Sequence, residues 1–267
     1  MVLHFGKKRV EKRLGFVAGF CPICRDVRAF RLIQVSVATA FNEVPLGKGI
    51  LAGHLVECVD CQVRLQSSLE QYPTAEPEYP LGLDWLVERT CPDLRAQYSG
   101  RLKVEAGLKK GRSMLLPEQR GDYLLEPFLI LSPMVDARFR DPTRMDVPST
   151  LGGVATFLLT VVSFYCAIQF FHGPAQDRAL IGVAIVLGLG VFFGLLQLHL
   201  APSRFVRRRI GLMAARALRP LDPSQGEIED CLQKCREKKL RIGRELKTDQ
   251  LWLQMKLTGG SSSAEKF

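Results

Sequence analysis

The sequence predicts an α + small β membrane protein: a small β ribbon, α-helical segments and a two-helix transmembrane hairpin. Three observations predict it. Four of the eight cysteines form two CxxC pairs, Cys21-Pro22-Ile23-Cys24 and Cys58-Val59-Asp60-Cys61. Two uncharged runs, residues 151–171 and 179–200, are each long enough, at about 1.5 Å rise per residue, to cross a hydrocarbon core of about 30 Å. The remaining segments carry helix caps and apolar stripes instead of strand alternation.

Composition alone conceals this division. The 267 residues hold 37 Lys and Arg against 27 Asp and Glu, a formal net charge of +10, with 47% apolar and 24% charged residues. Such averages exclude a collagen-like or wholly disordered chain. The excess charge is local. Residues 1–31 carry +6, residues 204–219 carry another +6, and the rest nearly cancels. A uniformly basic nucleic-acid domain would spread it.

Taken in order, residues 1–20 form a basic N-terminal segment and residues 21–66 the ribbon. Each CxxC fits a tight knuckle that turns both sulfurs onto one ion, and two knuckles supply a tetrahedral site of four thiolates. Cys21, Cys24, Cys58 and Cys61 are therefore the candidate ligands of one structural Zn2+. Between them, residues 30–37 alternate as a strand, residues 41–45 form a further short strand, and residues 51–57 lead into the second knuckle. Gly47-Lys48-Gly49 supplies the turn. The result is a zinc ribbon with a lengthened hairpin. Iron also suits four thiolates. Disulfides are disfavoured in a reducing compartment, and a redox CxxC needs a βαβ context that is not evident. His54, four residues before Cys58, reads as a strand residue facing water.

The stretches Cys21-Pro-Ile-Cys24, Arg28-Ala-Phe-Arg31-Leu, Val44-Pro-Leu-Gly-Lys-Gly49 and Gly53-His-Leu-Val-Glu-Cys58-Val-Asp-Cys61 resemble the N-terminal ribbon of uncharacterised, mostly bacterial, membrane-anchored zinc-ribbon proteins. The resemblance covers about residues 16–66. It implies a metal-binding ribbon whose ligands are the same four cysteines, and no assigned activity. Asp26 departs from the Gly-rich continuation of many such ribbons.

Residues 67–82, with three prolines and three glutamates, read as a semi-rigid linker. Residues 83–147 read as a cytosolic helical segment. Asp84 caps a short helix, and Thr90 caps a longer one with a Leu94, Tyr98, Leu102, Ala106 stripe and a basic end at Lys109, Lys110 and Arg112. Pro117 opens a further stretch through Leu125, and Pro127 and Pro133 punctuate the next, ending near Phe139. Cys91 reads as a buried small hydrophobe.

Residues 148–201 are the transmembrane hairpin, its spans joined by a short Gly-Pro loop. Nine arginines flank the spans on one side and only Arg178 lies in the loop, which places both termini in the cytoplasm of a cell-membrane, multi-pass protein. Gly190 and Gly194, with Gly182, and the pair Ser163/Ala167 give small-residue faces that suit packing within the hairpin, or a homo-oligomer. Residues 202–220 read as a basic juxtamembrane helix with Arg204, Arg207, Arg208 and Arg209 on anionic headgroups. The alternative is a nucleic-acid arm. Residues 221–267 form a helical tail. Ser224 and Glu227 make a capping box, Cys231 and Cys235 pack in the core, Thr248 caps a last helix, and residues 259–267 fray.

No catalytic constellation appears, so the expected function is non-enzymatic: an integral membrane protein presenting a zinc ribbon and helices to the cytoplasm for an unknown protein partner. Two alternatives belong to other classes. One is a membrane-tethered nucleic-acid binder using Lys7, Lys8, Arg9, Lys12, Arg13 and Arg25. The other is a thiol redox protein using CxxC.

Overall fold

A computed structural model describes residues 5–41, 44–79, 82–110, 115–140, 147–170 and 174–260. It opens with an antiparallel four-stranded meander of β1 (Phe5–Cys21), β2 (Asp26–Phe41), β3 (Val44–Cys58) and β4 (Arg64–Ser67), adjacent in that order. The first CxxC turns β1 into β2 and the second turns β3 into β4. Phe30 pairs with Cys58, which brings both knuckles to one end of the sheet.

Residues 5–20, expected as a basic segment preceding the ribbon, are its first strand. They pair with β2 from Phe5–Phe41 down to Cys21–Asp26. Alternating Lys and Arg mask the strand signal in the outer half, where both faces of β1 meet solvent. Gly47-Lys48-Gly49, expected as the turn, does not reverse the chain. The chain reverses between Phe41 and Val44, and the glycines lie inside β3, where the register against Val37–Thr39 shifts. Gly47 and Gly49 sit at φ 84° and 71°, a left-handed conformation that glycine takes without steric cost. They make a bulge, not a hairpin end.

The knuckle half of the sheet is buried on both faces, and side chains divide between them with the period of two that strands impose. Phe16, Ala18, Val27 and Ala29 face α1 (Leu83–Thr90) and α2 (Leu94–Gln97), packing on Leu86, Val87 and Leu94. Val17, Cys21, Phe30 and Leu32 face the opposite way, into one continuous core with the C-terminal helices. Residues 67–82 do not span open solvent. Ser68 caps a 3-10 turn at Leu69–Gln71, and Glu76 exchanges two backbone hydrogen bonds with Phe16, at 2.6 and 2.9 Å, along the free edge of β1.

Thr90 ends α1 instead of capping the next helix. Its hydroxyl donates to Leu86 O at 2.8 Å and accepts from the Ala18 amide at 2.9 Å. Gly82, not Asp84, holds the N-cap position of α1. A break at Tyr98 separates α2 from α3 (Ser99–Lys109), so the expected stripe does not stay on one face. Leu94 is buried while Tyr98 and Ala106 are exposed. Cys91 is half-buried, and Arg112 lies outside the described residues.

α4 (Pro117–Arg140) runs unbroken through Pro127 and Pro133. Each proline removes one helical hydrogen bond. Leu124, Phe128, Leu131 and Val135, at helical spacing on both sides of the prolines, are all buried, and that packing outweighs the loss.

α5 (Val147–Phe170) packs along α6 (Pro174–Phe205). Among the described residues one helix, Ile181–Leu221, is long and apolar enough to cross a membrane, and Thr150–Cys166 is a shorter apolar helix. Residues 171–173, in the expected loop, lie outside the described residues. Gly190 faces α5 so closely that a Cβ there would overlap Thr156 Cγ2, whereas Gly182 and Gly194 face open space. The side chain of Ala167 is outside the described set.

After α6 the chain passes through a π turn at Val206–Ile210 into α7 (Gly211–Leu218), α8 (Gln225–Glu237), α9 (Ile242–Glu245) and α10 (Thr248–Gly260). The expected capping box is present: Ser224 Oγ accepts from the Glu227 amide and the Glu227 carboxylate accepts from the Ser224 amide. Thr248 opens α10 as its first residue, and residues 261–267 lie outside the described residues. The apolar side of 204–219, expected in the headgroup region, is instead covered by protein. Val206, Ile210, Ala214, Ala217 and Leu218 lie in the core with Ile228, Leu232 and Leu251, while Arg207, Arg208 and Arg209 point outward.

Candidate metal centre

The sheet brings the four expected ligands together. Cys21 Sγ lies 3.5 Å from Cys61 Sγ and Cys24 Sγ lies 3.9 Å from Cys58 Sγ. All four sulfurs fall within 4.8 Å of one another. Tetrahedral thiolates at about 2.3 Å from one ion stand about 3.8 Å apart, so the spacing fits. It is too long for disulfides, whose sulfurs approach to about 2.05 Å. The Cys24 amide donates to Cys21 Sγ at 3.4 Å, which steadies the first knuckle. Cys21, Cys58 and Cys61 are buried and Cys24 is half-buried.

As thiols these groups compete for protons. Hydrogen bonds with Cys24, then Cys58 and Cys61, push the Cys21 thiol far up, and burial adds to this. Hydrogen bonds from Cys21, Cys24 and Cys61 hold the Cys58 thiol far down. A dication in the centre replaces the shared protons and allows four thiolates at once. Fully enclosed by sulfur, such an ion keeps no open position for substrate.

His54 sits in β3 outside this cluster, paired with Gln34 and Ser67. Cys231 and Cys235 are buried on α8, and burial raises the Cys231 thiol to about 11. Both CxxC pairs turn β-hairpins, so neither has the strand-to-helix setting of a thioredoxin-like redox pair.

The residues that hold the knuckles in place lie beside the cysteines, outside the CxxC pattern itself. Arg25 and Gln62 each follow the second cysteine of a pair and sit at φ 55° and 61°. A side chain in this left-handed region costs about 1 kcal/mol, which glycine would avoid. Both side chains are used. Arg25, 1% exposed, donates to both Glu105 carboxylate oxygens at 3.0 and 3.1 Å, to Ala217 O at 2.5 Å and to Tyr123 O at 3.3 Å. It thus binds three helices at once. Arg101 Nε also reaches Glu105, at 2.9 Å. Gln62 Oε1 accepts from Arg209. A non-glycine residue after each CxxC was the available signal. Being buried, Arg25 leaves the basic group that could meet a nucleic acid, and Lys7, Lys8, Arg9, Lys12 and Arg13 stay exposed on β1.

Around the knuckles Arg28 pairs with Asp60 at 2.9 Å and Lys109 with Asp26 at 2.7 Å. Hydrogen bonding and charge from Lys109 outweigh partial burial and hold the Asp26 carboxyl below its usual range. The departure from Gly-rich sequence at Asp26 therefore carries an ion pair to α3. Comparison with models of known families, with curated proteins and with solved structures finds no match.

Proposed function

We propose that this chain is a non-enzymatic integral membrane protein in which a structural zinc ribbon, docked on a helical unit, is presented to the cytoplasm for protein interaction or assembly. The observation that carries this reading is the pair of contacts from the knuckles to the segment after α6. Arg25 reaches Ala217 and Gln62 reaches Arg209, which ties a closed four-cysteine site to the base of an exposed, strongly apolar helix.

Zinc is the favoured ion, because it suits a closed thiolate tetrahedron and brings no redox step. Held by Cys21, Cys24, Cys58 and Cys61, it supplies folding energy, not chemistry. The membrane role of α6 is supported by its length and apolar surface. α5, packed on it at Gly190, completes a hairpin with both termini in the cytoplasm, in keeping with the arginine distribution. Arg207, Arg208 and Arg209 face outward next to α6, a placement suited to headgroup phosphates. Metal analysis of the detergent-solubilised protein tests the reading. One zinc per chain is expected. A folded protein with no bound metal overturns the metal centre, and a chain that stays in the aqueous phase without detergent overturns the membrane anchor.

A further inference from the structure

The end of the sheet away from the knuckles carries a surface that the metal centre does not use. Residues paired across a ladder share a face. Thr39 pairs with Lys7 and Leu46, Val37 pairs with Arg9 and Ile50, and Phe41 pairs with Val44. Lys7, Arg9, Val37, Val44, Leu46 and Ile50 therefore occupy one face of a three-stranded arm, with the half-buried Phe41 at its far end. Ile50 is 81% exposed, Val44 62% and Leu46 55%. β4 pairs with β3 only from His54 to Glu57, so the outer part has three strands, and the exposures of Val44, Leu46 and Ile50 leave this face open among the described residues. Glu11, the single acid of β1, is taken by Arg64 at 2.9 Å, which leaves the positive charge of Lys7 and Arg9 unopposed on the strand.

This mixture selects a partner. Single-stranded nucleic acid is held by cations together with rows of stacking aromatics; here the exposed side chains are the aliphatic Val44, Leu46 and Ile50, and Phe41 is half-buried. A second copy laid face to face would bring like charges together. An anionic bilayer takes both components, cations at the phosphates and aliphatic side chains at the acyl boundary. We infer that this face of the arm docks on the surface of an anionic lipid bilayer, with Lys7 and Arg9 at headgroup phosphates and Val44, Leu46 and Ile50 below them. The inference rests on the sheet alone and holds whether or not α6 crosses the membrane.

The full chain tests it, carrying Ile50→Trp and combined with nanodiscs of brominated phosphatidylcholine, with or without brominated phosphatidylserine. The unsubstituted chain gives the baseline from Trp85 and Trp252. The added indole is expected to be quenched in the anionic discs and not in the zwitterionic ones. Each cation at an anionic surface contributes a roughly fivefold factor, so Lys7→Gln with Arg9→Gln lowers docking about 25-fold and abolishes the quenching. Leu46→Trp is a second reporter if Ile50→Trp loses the bound metal. Equal emission in both discs, quenching that survives loss of the two cations, a signal set by protein concentration instead of lipid, or binding to an RNA oligonucleotide with no response to phosphatidylserine each overturns it. Anchoring by α6 is read separately, from retention of the chain in zwitterionic discs, so failure of the anchor and failure of the arm give different results.

Discussion

Arg25 shows how much one residue can join. Its guanidinium is buried with Glu105, and removing one partner of such a pair leaves an uncompensated charge in the core. Arg25→Met is expected to lower stability by about 3 kcal/mol, while Arg25→Met with Glu105→Met should recover part of the loss, since the stranded charge is removed but the Ala217 and Tyr123 carbonyls and Arg101 still lose a partner. Chemical denaturation at constant metal content measures both. The cysteines give a second prediction. Cys24→Ser removes one ligand and should abolish stoichiometric metal binding. Its effect should not stop at residue 61. Cys21, Cys58 and Cys61 belong to the same core as α4, α7 and α8, so hydrogen exchange should quicken in those helices as well. Lowering the pH should also release the metal, because protons compete for the thiolates.

Among elements, the clearest tie is between α4 and α8. Arg120 Nε donates to the Glu227 carboxylate at 2.7 Å, and its Nη2 donates to Leu221 O at 3.0 Å. The hydrogen bond from Arg120, with the Ser224 amide and the guanidinium charge, lowers the Glu227 carboxyl from 4.5 to about 2. A carboxyl depressed in the folded state stabilises above its unfolded pKa, and that contribution fades as pH falls from 4.5 through about 2. Glu227→Gln should therefore show a smaller loss of thermal stability between neutral pH and pH 3 than the unsubstituted chain. Local chemistry of this kind was legible in the sequence: the capping box is present and the four cysteines of the two CxxC pairs cluster as their spacing predicts. Pairing over long distance was not. Nothing local marks residues 5–13 as a strand, since their order comes from β2, and nothing local protects α4 from its two prolines, since that protection comes from helices about a hundred residues later.

At the scale of the whole molecule, the division of charge read from sequence acquires two physical settings. The +6 of residues 204–219 sits on a helix whose apolar side is core, with Arg207, Arg208 and Arg209 outward. Most of the N-terminal excess lies on β1, and Arg25 is withdrawn from it into the interior. The described side chains of α5 and α6 leave most of their apolar surface exposed, and the two helices approach closely at Gly190. Gly190→Leu would force Thr156 aside and should separate the two helices. Cross-linking between cysteines introduced one turn away, at positions 160 and 186, is expected to fall, with the metal content unchanged.

The contact between Arg25 and Ala217 spans 192 positions of chain. During synthesis the knuckles emerge early and the carbonyl that Arg25 needs emerges late, after both apolar helices have left the ribosome. Until then Glu105 and Arg25 lack the wall that α7 provides. The order of manufacture thus makes the closing of the core a late event, one that follows the emergence of both apolar helices.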